Sequence, residues 1–214
     1  MKFLRGAIVL LTVGVLFAVF CVVPPAEGLG YYVRLAFFHI PVAWVSVLAF
    51  LMSAFYGICC LRKSDLRADG LSAAAIRLGF IFVVLATLSG AVFSKLTWGA
   101  YWNWDPRQTT IFVLLLIYGA YLTLRSALAG ADRARRARVS AVYALFSFLT
   151  VPFLVFIVPR LYFSLHPQPV LNAAGRIDMD PVMLGTLLAA LADATCLYLY
   201  LLYNSVKELP SGGK

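Results

Sequence analysis

Six long apolar runs limit what this chain can become more than any other feature. They cover roughly residues 7–23, 37–61, 78–94, 110–128, 139–158 and 182–203. A helix needs about 20 mostly apolar residues to cross the hydrocarbon of a bilayer. Inside lipid, every backbone N–H and C=O has to be satisfied within its own segment, which leaves helices or closed barrels. The runs are too long for barrel strands, so the expected fold is all-α: a polytopic membrane protein, a six-transmembrane helix bundle. With 63% hydrophobic and 13% charged residues, no stretch remains for a soluble domain, and residues 1–214 read as a single integral membrane domain.

The charges sort by side. Lys2, Arg5, Arg62, Lys63, Arg67, Arg77, Arg125, Arg133, Arg135, Arg136, Arg138, Lys207 and Lys214 fall at one set of run ends. Arg34, Lys95, Arg107, Arg160 and Arg176 fall at the other. Positive residues mark the cytoplasmic side, so both termini are expected to be cytoplasmic. This distribution also accounts for the net charge of +9 without nucleic acid. The Arg133–Arg138 cluster reads as a topology signal in touch with anionic membrane lipids.

The first run has a basic start and an apolar body, as a signal peptide would. Pro24-Pro25 follows in place of a small-x-small cleavage pattern, so an uncleaved first span is expected. Cys21, Cys59, Cys60 and Cys196 lie inside or at the ends of runs. With no C-x-x-C or C-x-x-C-H, the chain is neither a thiol oxidoreductase of that type nor a c-type cytochrome itself. Residues 62–77 mix both signs of charge and read as a solvated inner connector. Asp193 is the one acid well inside a run. Gly185, Ala189, Ala192 and Cys196 form a small-residue stripe beside it, which predicts close helix packing with Asp193 as a polar contact on the packed face. A proton-relay role is the competing reading.

Between the third and fourth runs, on the outer side, stands Trp98-Gly99-Ala100-Tyr101-Trp102-Asn103-Trp104-Asp105-Pro106-Arg107, an outer loop of about residues 95–109. It holds three of the four tryptophans. Aromatic belts at the membrane interface explain such a stretch in bland terms. A binding surface for a flat apolar ligand explains it more sharply, with Arg107 free to meet a carboxylate in a bidentate hydrogen bond. Asp105 suits an N-cap and Pro106 the first helical position. The two histidines of the chain flank this stretch. His39 lies about one turn inside the second run, just before Pro41, which is expected to open or kink the helix. His166 stands in the longest outer segment, before Pro167-Gln168-Pro169, a stiff bend able to aim its ring. Both are expected near the outer face.

These motifs resemble a known group. The run Trp98-Gly-Ala-Tyr-Trp-Asn-Trp-Asp-Pro-Arg-Gln-Thr is similar to the tryptophan-rich WWD signature of heme-handling membrane proteins of cytochrome c maturation. Within them the chain most resembles the heme exporter protein C (CcmC) family. Phe38-His39-Ile-Pro-Val-Ala-Trp44 looks like that family's first histidine segment and Leu165-His166-Pro-Gln-Pro like its second. Gln108 stands where the family's motif commonly carries an apolar residue.

The resemblance implies a heme-delivery protein that holds heme b at the outer face of the bacterial inner membrane, and leaves open whether it also assists covalent attachment of the heme to a chaperone. It would present that heme to a periplasmic heme chaperone, alongside a small single-span subunit and ABC-type ATPase and permease subunits. By the same resemblance, His39 and His166 would ligate the iron. Trp98, Tyr101, Trp102, Trp104 and Asp105 would form the platform, with Arg107 a partner for a propionate. Heme chemistry asks for these groups: imidazole for the metal, aromatic surface for the ring, a cation for the propionates. Two other classes remain open on sequence. An electron-transfer b-type cytochrome usually sets its paired histidines facing each other within helices. A transporter of an unrelated solute needs a polar path at the midplane, for which only Asp193 speaks.

Overall fold

The computed structural model describes residues 2–166 and 179–207, and they are all-helical. Helix α1 (Lys2–Phe17) widens into a π turn at Ala18–Val22. A 3-10 turn at Tyr31–Leu35 leads into α2 (Ala36–Lys63), followed by α3 (Leu66–Trp98) and α4 (Pro106–Ala127). Helix α5 (Arg133–Pro152) passes through a π turn at Phe153–Ile157 into the short α6 (Val158–Leu161), and α7 is Pro181–Lys207. Six segments are long and apolar enough to cross a membrane: Phe3–Val22, Tyr31–Lys63, Leu66–Trp98, Pro106–Ala127, Arg133–Leu161 and Pro181–Lys207.

Local signals place the helix ends. Ser64 closes α2 in the left-handed region at φ 52°. Asp65 then caps α3 at once, its carboxylate accepting from the Arg67 amide at 2.8 Å. The expected inner connector over 62–77 is therefore wrong: two residues separate α2 from α3, and Leu66 to Arg77 is helix. Its charges had suggested solvent. The alanines that face inward there, Ala68, Ala73, Ala74 and Ala75, carry the segment into the bundle. At the other end α3 runs on to Trp98 and is stopped by Gly99, at φ 82°, whose amide donates to the Lys95 carbonyl. Helix α4 opens at Pro106, so the outer loop is 99–105 rather than 95–109. Pro41 does not open α2, which continues through it; early in the helix, only one interior carbonyl loses its donor.

Helix α2 is the hub, packed against α3, α5 and α7. One core cluster joins α2, α3, α4 and α5, where the Phe50 and Tyr118 rings stack at 3.5 Å. Gly79 allows this approach, because a Cβ there would lie 2.8 Å from Phe50 Cε1. A second cluster joins α1, α2 and α7, and a third joins α2, α3 and α7. Asp193 is buried and accepts from the Thr12 hydroxyl at 3.0 Å, tying α7 to α1 as the packing reading expected. The small-residue stripe is a correction. Gly185, Ala192 and Cys196 are exposed, while α7 buries Met183, Thr186, Leu187, Ala190 and Asp193 instead. That face carries Thr186 and Asp193, and polar side chains in a span turn inward, where lipid does not leave them without hydrogen-bond partners. At the inner end, Arg125 of α4 grips Asp69 of α3 with two hydrogen bonds of 2.7 Å.

Candidate functional site

Asp105 organises the end of the bundle where α3 passes into α4. Its carboxylate caps α4 by accepting from the Arg107 amide at 2.9 Å, as the Asp-Pro step predicted. It also reaches the segment that follows α6. There it accepts from the Leu165 amide at 2.7 Å and from the Ser164 hydroxyl at 2.9 and 3.1 Å. His166 Nδ1 lies 3.0 Å from the same carboxylate. The carboxylate can only accept, so Nδ1 carries the hydrogen and Nε2 keeps its lone pair. Burial works to raise the Asp105 carboxyl. The amides of Arg107 and Leu165, the Ser164 hydroxyl and His166 together outweigh it and hold the group below the usual carboxylate range. Burial pushes the His166 imidazole down to about 4 against the pull of Asp105, and Arg107 and His39 push the same way. The ring is thus neutral at physiological pH, and among the described residues no hydrogen bond engages its Nε2.

His39 is near enough to bear on His166 through space. It lies in the first turns of α2, against α3, where its Nδ1 is 3.1 Å from Ser89 Oγ. Trp98, in the last turn of α3, sets its ring 4.9 Å from that of His166. The Arg107 guanidinium acts on His166 as well, and its Nε is buried without a hydrogen-bond partner. Asp105 and Trp98 therefore meet His166 directly, with the Arg107 guanidinium and His39 near enough to act on it through space.

The other two tryptophans of the loop form a separate group. Trp102 and Trp104 pair edge to face at 5.8 Å, and Trp102 rests on Phe112 at 6.2 Å. Trp104 is 73% exposed and holds a left-handed backbone at φ 56°, a conformation a bulky residue adopts only under constraint. Tyr101 faces outward with the Lys95 ammonium 5.7 Å from its ring. Among the other outer cations, Arg34 lies over the Tyr31 ring and Arg160 donates to the Phe156 carbonyl. Arg176 and the Pro167-Gln168-Pro169 bend lie outside the described residues.

Several supports went unread in the sequence. Gln108 is buried and laces the loop: its Oε1 accepts from the Asn103 amide at 2.8 Å and its Nε2 donates to the Tyr101 carbonyl at 3.3 Å. The Asn103 side chain donates to Ser94 Oγ, which donates in turn to the Ala100 carbonyl. An apolar residue at 108 could make none of these bonds. Ser164 Oγ accepts from the His166 amide at 3.2 Å, a hydroxyl turn that a Ser two residues before a histidine could have signalled. Among the described residues, no three His, Cys, Asp or Glu side chains are grouped to hold a bare metal ion. A macrocycle-bound iron needs only axial ligands from the protein. Two imidazoles, flat aromatic surface and a buried, unpartnered guanidinium nitrogen fit that requirement.

Six helices long and apolar enough to cross a membrane, with a tryptophan-rich loop and a histidine at one end, define a class of multi-pass membrane proteins with an aromatic site. The chain belongs to the heme exporter protein C (CcmC) family, whose sequence profile matches residues 1–209. It is 30% identical over 172 residues to heme exporter protein C of Bradyrhizobium diazoefficiens, a match covering 80% of this chain and 64% of that protein. It is 40% identical over 98 residues to cytochrome c biogenesis protein CcsA of Lobularia maritima, covering 46% of this chain and 28% of the relative. The corresponding protein of Arabidopsis thaliana is 41% identical over 91 residues, covering 42% and 26%. The matches thus span less than two thirds of the length of these curated relatives.

Proposed function

We propose that this chain binds heme at the outer face of the bacterial inner membrane and presents it to a periplasmic heme chaperone during cytochrome c maturation. The observation that carries the reading is the seating of His166. Its Nδ1 is held by Asp105, no hydrogen bond engages its Nε2 among the described residues, and His39 and Trp98 stand near it. Membership of the heme exporter protein C family and likeness to cytochrome c biogenesis proteins support it.

A b-type heme would supply the iron and two propionates. The chain supplies the rest. His39 and His166 offer neutral imidazole nitrogens from two different elements, α2 and the segment after α6. Arg107 offers a guanidinium nitrogen with no other partner, suited to a propionate. Trp98, Tyr101, Trp102, Trp104 and Asp105 would supply the aromatic and polar surface against which the ring could rest. The exposed faces of Trp104 and Tyr101 are where the chaperone would meet it. The small single-span subunit and the ABC-type ATPase and permease subunits are the expected companions. The distribution of basic residues supports cytoplasmic termini and an outer site.

The visible spectrum of the purified protein tests this. A Soret band of six-coordinate, two-histidine iron is expected, reduced in His39→Ala and in His166→Ala and partly restored by added imidazole. Heme should pass to the chaperone on mixing. A chain without a Soret band, or one that holds heme and only cycles it between oxidation states, overturns the reading. Orientation is tested in a cysteine-free background with an impermeant thiol reagent. Cysteines at 102 and 166 should label on intact cells and those at 67 and 135 should not.

A further inference from the structure

His39 has a seat of its own on α3, made by two small residues that no motif singled out. Ser89 Oγ lies 3.1 Å from His39 Nδ1. The same hydroxyl faces two carbonyls, those of Leu85 at 2.8 Å and Ala86 at 3.2 Å. A serine has one hydroxyl proton, and carbonyls can only accept. With that proton directed to the Leu85 carbonyl, the oxygen accepts from His39. Nδ1 then carries the ring hydrogen and Nε2 holds the lone pair. Gly90 provides the clearance. A Cβ at position 90 would lie 2.9 Å from His39 Cε1 and 3.4 Å from Nδ1, so any side chain there would push the imidazole off the serine.

With the Ser89 proton so directed, the two histidines share one tautomer on unlike partners, and the Ala86 carbonyl stands beside the His39 ring as a further acceptor. His166 donates to a carboxylate and His39 to a neutral hydroxyl. A carboxylate behind an imidazole raises its basicity and strengthens its bond to a metal; a hydroxyl orients the ring without that gain. We propose that Ser89 is the positioning residue of His39, and that its neutral hydroxyl, set against Asp105 at His166, makes His39 the weaker iron ligand and the one that lets go first. The inference rests on the reading that both histidines ligate one heme. It adds an order of release: the α2 side opens while the Asp105-backed side holds.

The first measurement needs no heme. The chain has only two histidines, so nitrogen NMR of the ¹⁵N-histidine-labelled protein in micelles yields two ring systems, assigned with His39→Ala. His39 should show a protonated Nδ1 and a bare Nε2. Ser89→Ala should move it toward the opposite tautomer, and Ser89→Thr, which keeps the hydroxyl, should restore it. A His39 ring already protonated on Nε2, or unchanged in Ser89→Ala, overturns the positioning role whatever the heme does. The second measurement uses heme-loaded protein titrated with cyanide. Half-displacement should need several-fold less cyanide in Ser89→Ala than in wild type, and His166→Ala should lose more heme on gel filtration than His39→Ala. Equal losses, or greater loss from His39→Ala, overturn the order of release. A wild-type chain with no two-histidine spectrum overturns the heme reading itself and with it the ranking of ligands, while the tautomer result stands or falls separately.

Discussion

The carboxylate of Asp105 lies 3.0 Å from Nδ1 of His166, and the same group caps α4. One side chain thus joins the loop after α3, the first turn of α4 and the segment after α6. Asparagine is as good an N-cap as aspartate, so Asp105→Asn should keep the α4 cap while removing the charge behind His166 and replacing the oxygen that accepts from Leu165 with a donor, at a cost of about 1–3 kcal/mol. The expected result is a lower thermal midpoint from the lost Leu165 bond, with weaker heme retention and a higher iron midpoint potential. Asp105→Ala removes the cap as well and should cost about 1 kcal/mol more in stability. Thermal unfolding in detergent and a redox titration separate the two effects; an unaltered potential in Asp105→Asn would mean the carboxylate does not act through His166.

The pH dependence of the apo protein follows from burial at the same place. The His166 imidazole, pushed down from its ordinary 6.5 to about 4, stays neutral in the folded chain where the unfolded chain would already be protonated. As pH falls from about 6.5 toward 4, the unfolded state takes up the proton first, and stability contributed by this site declines over that window. Asp105 works on the acid side of that window. Its carboxyl sits below its ordinary 3.8, so its contribution is present above that value and is lost as pH falls below it. Carbon–proton NMR of the single remaining histidine in His39→Ala should give a midpoint near 4; a midpoint near 6.5 would show His166 to be solvated.

The aromatic residues should divide into two classes. Trp98 sits against the His166 ring, so Trp98→Ala should disturb that ring and lower stability by about 0.5–1.5 kcal/mol. Trp104 is largely exposed, so Trp104→Ala should leave unfolding nearly unchanged yet slow transfer of heme to the chaperone, with Trp104→Phe recovering most of it. Full transfer by Trp104→Ala would leave that residue as an interface anchor only.

Asp193 should tolerate loss of its charge. Its described partner is the Thr12 hydroxyl, which an amide oxygen can also accept from. Asp193→Asn is expected to insert and transfer heme normally. Asp193→Leu removes the α1–α7 hydrogen bond while Thr12 keeps the Ile8 carbonyl as acceptor, and should lower stability by about 0.5–1.5 kcal/mol, read as a lower unfolding midpoint. Loss of transfer in a normally inserted Asn variant would point to a role for the charge.

The six spans were legible because lipid leaves a chain so few options, and the start of α4 because Asp-Pro is a strong local signal. The stretch before Arg77 was misread: charge reports on solvent only when the residues between the charges also face it, and here Ala68 and Ala73–75 face the bundle. The stripe on α7 failed for a related reason, since spacing shows that small residues share a face but not whether that face is covered. At the site, single residue types in flanking segments marked His39, His166 and Asp105. Their partners could not be read in advance. Ser89 serves His39 from another helix and Ser164 serves Asp105 from another loop, and hydroxyls are too common in such spans to stand out.

Helices α3 and α4 are pinned together twice. Asp69 and Arg125 close the inner end with two short hydrogen bonds, and the Ser94–Asn103–Gln108 lacing stiffens the turn at the outer end. A hairpin pinned at both ends can tilt as one piece but cannot splay. Ser89, Trp98, Asp105 and Arg107 all ride on that piece, so their mutual geometry survives such a tilt. What a tilt would change is the gap to His39 on α2, and opening the site becomes a question of hinge angle rather than of local melting.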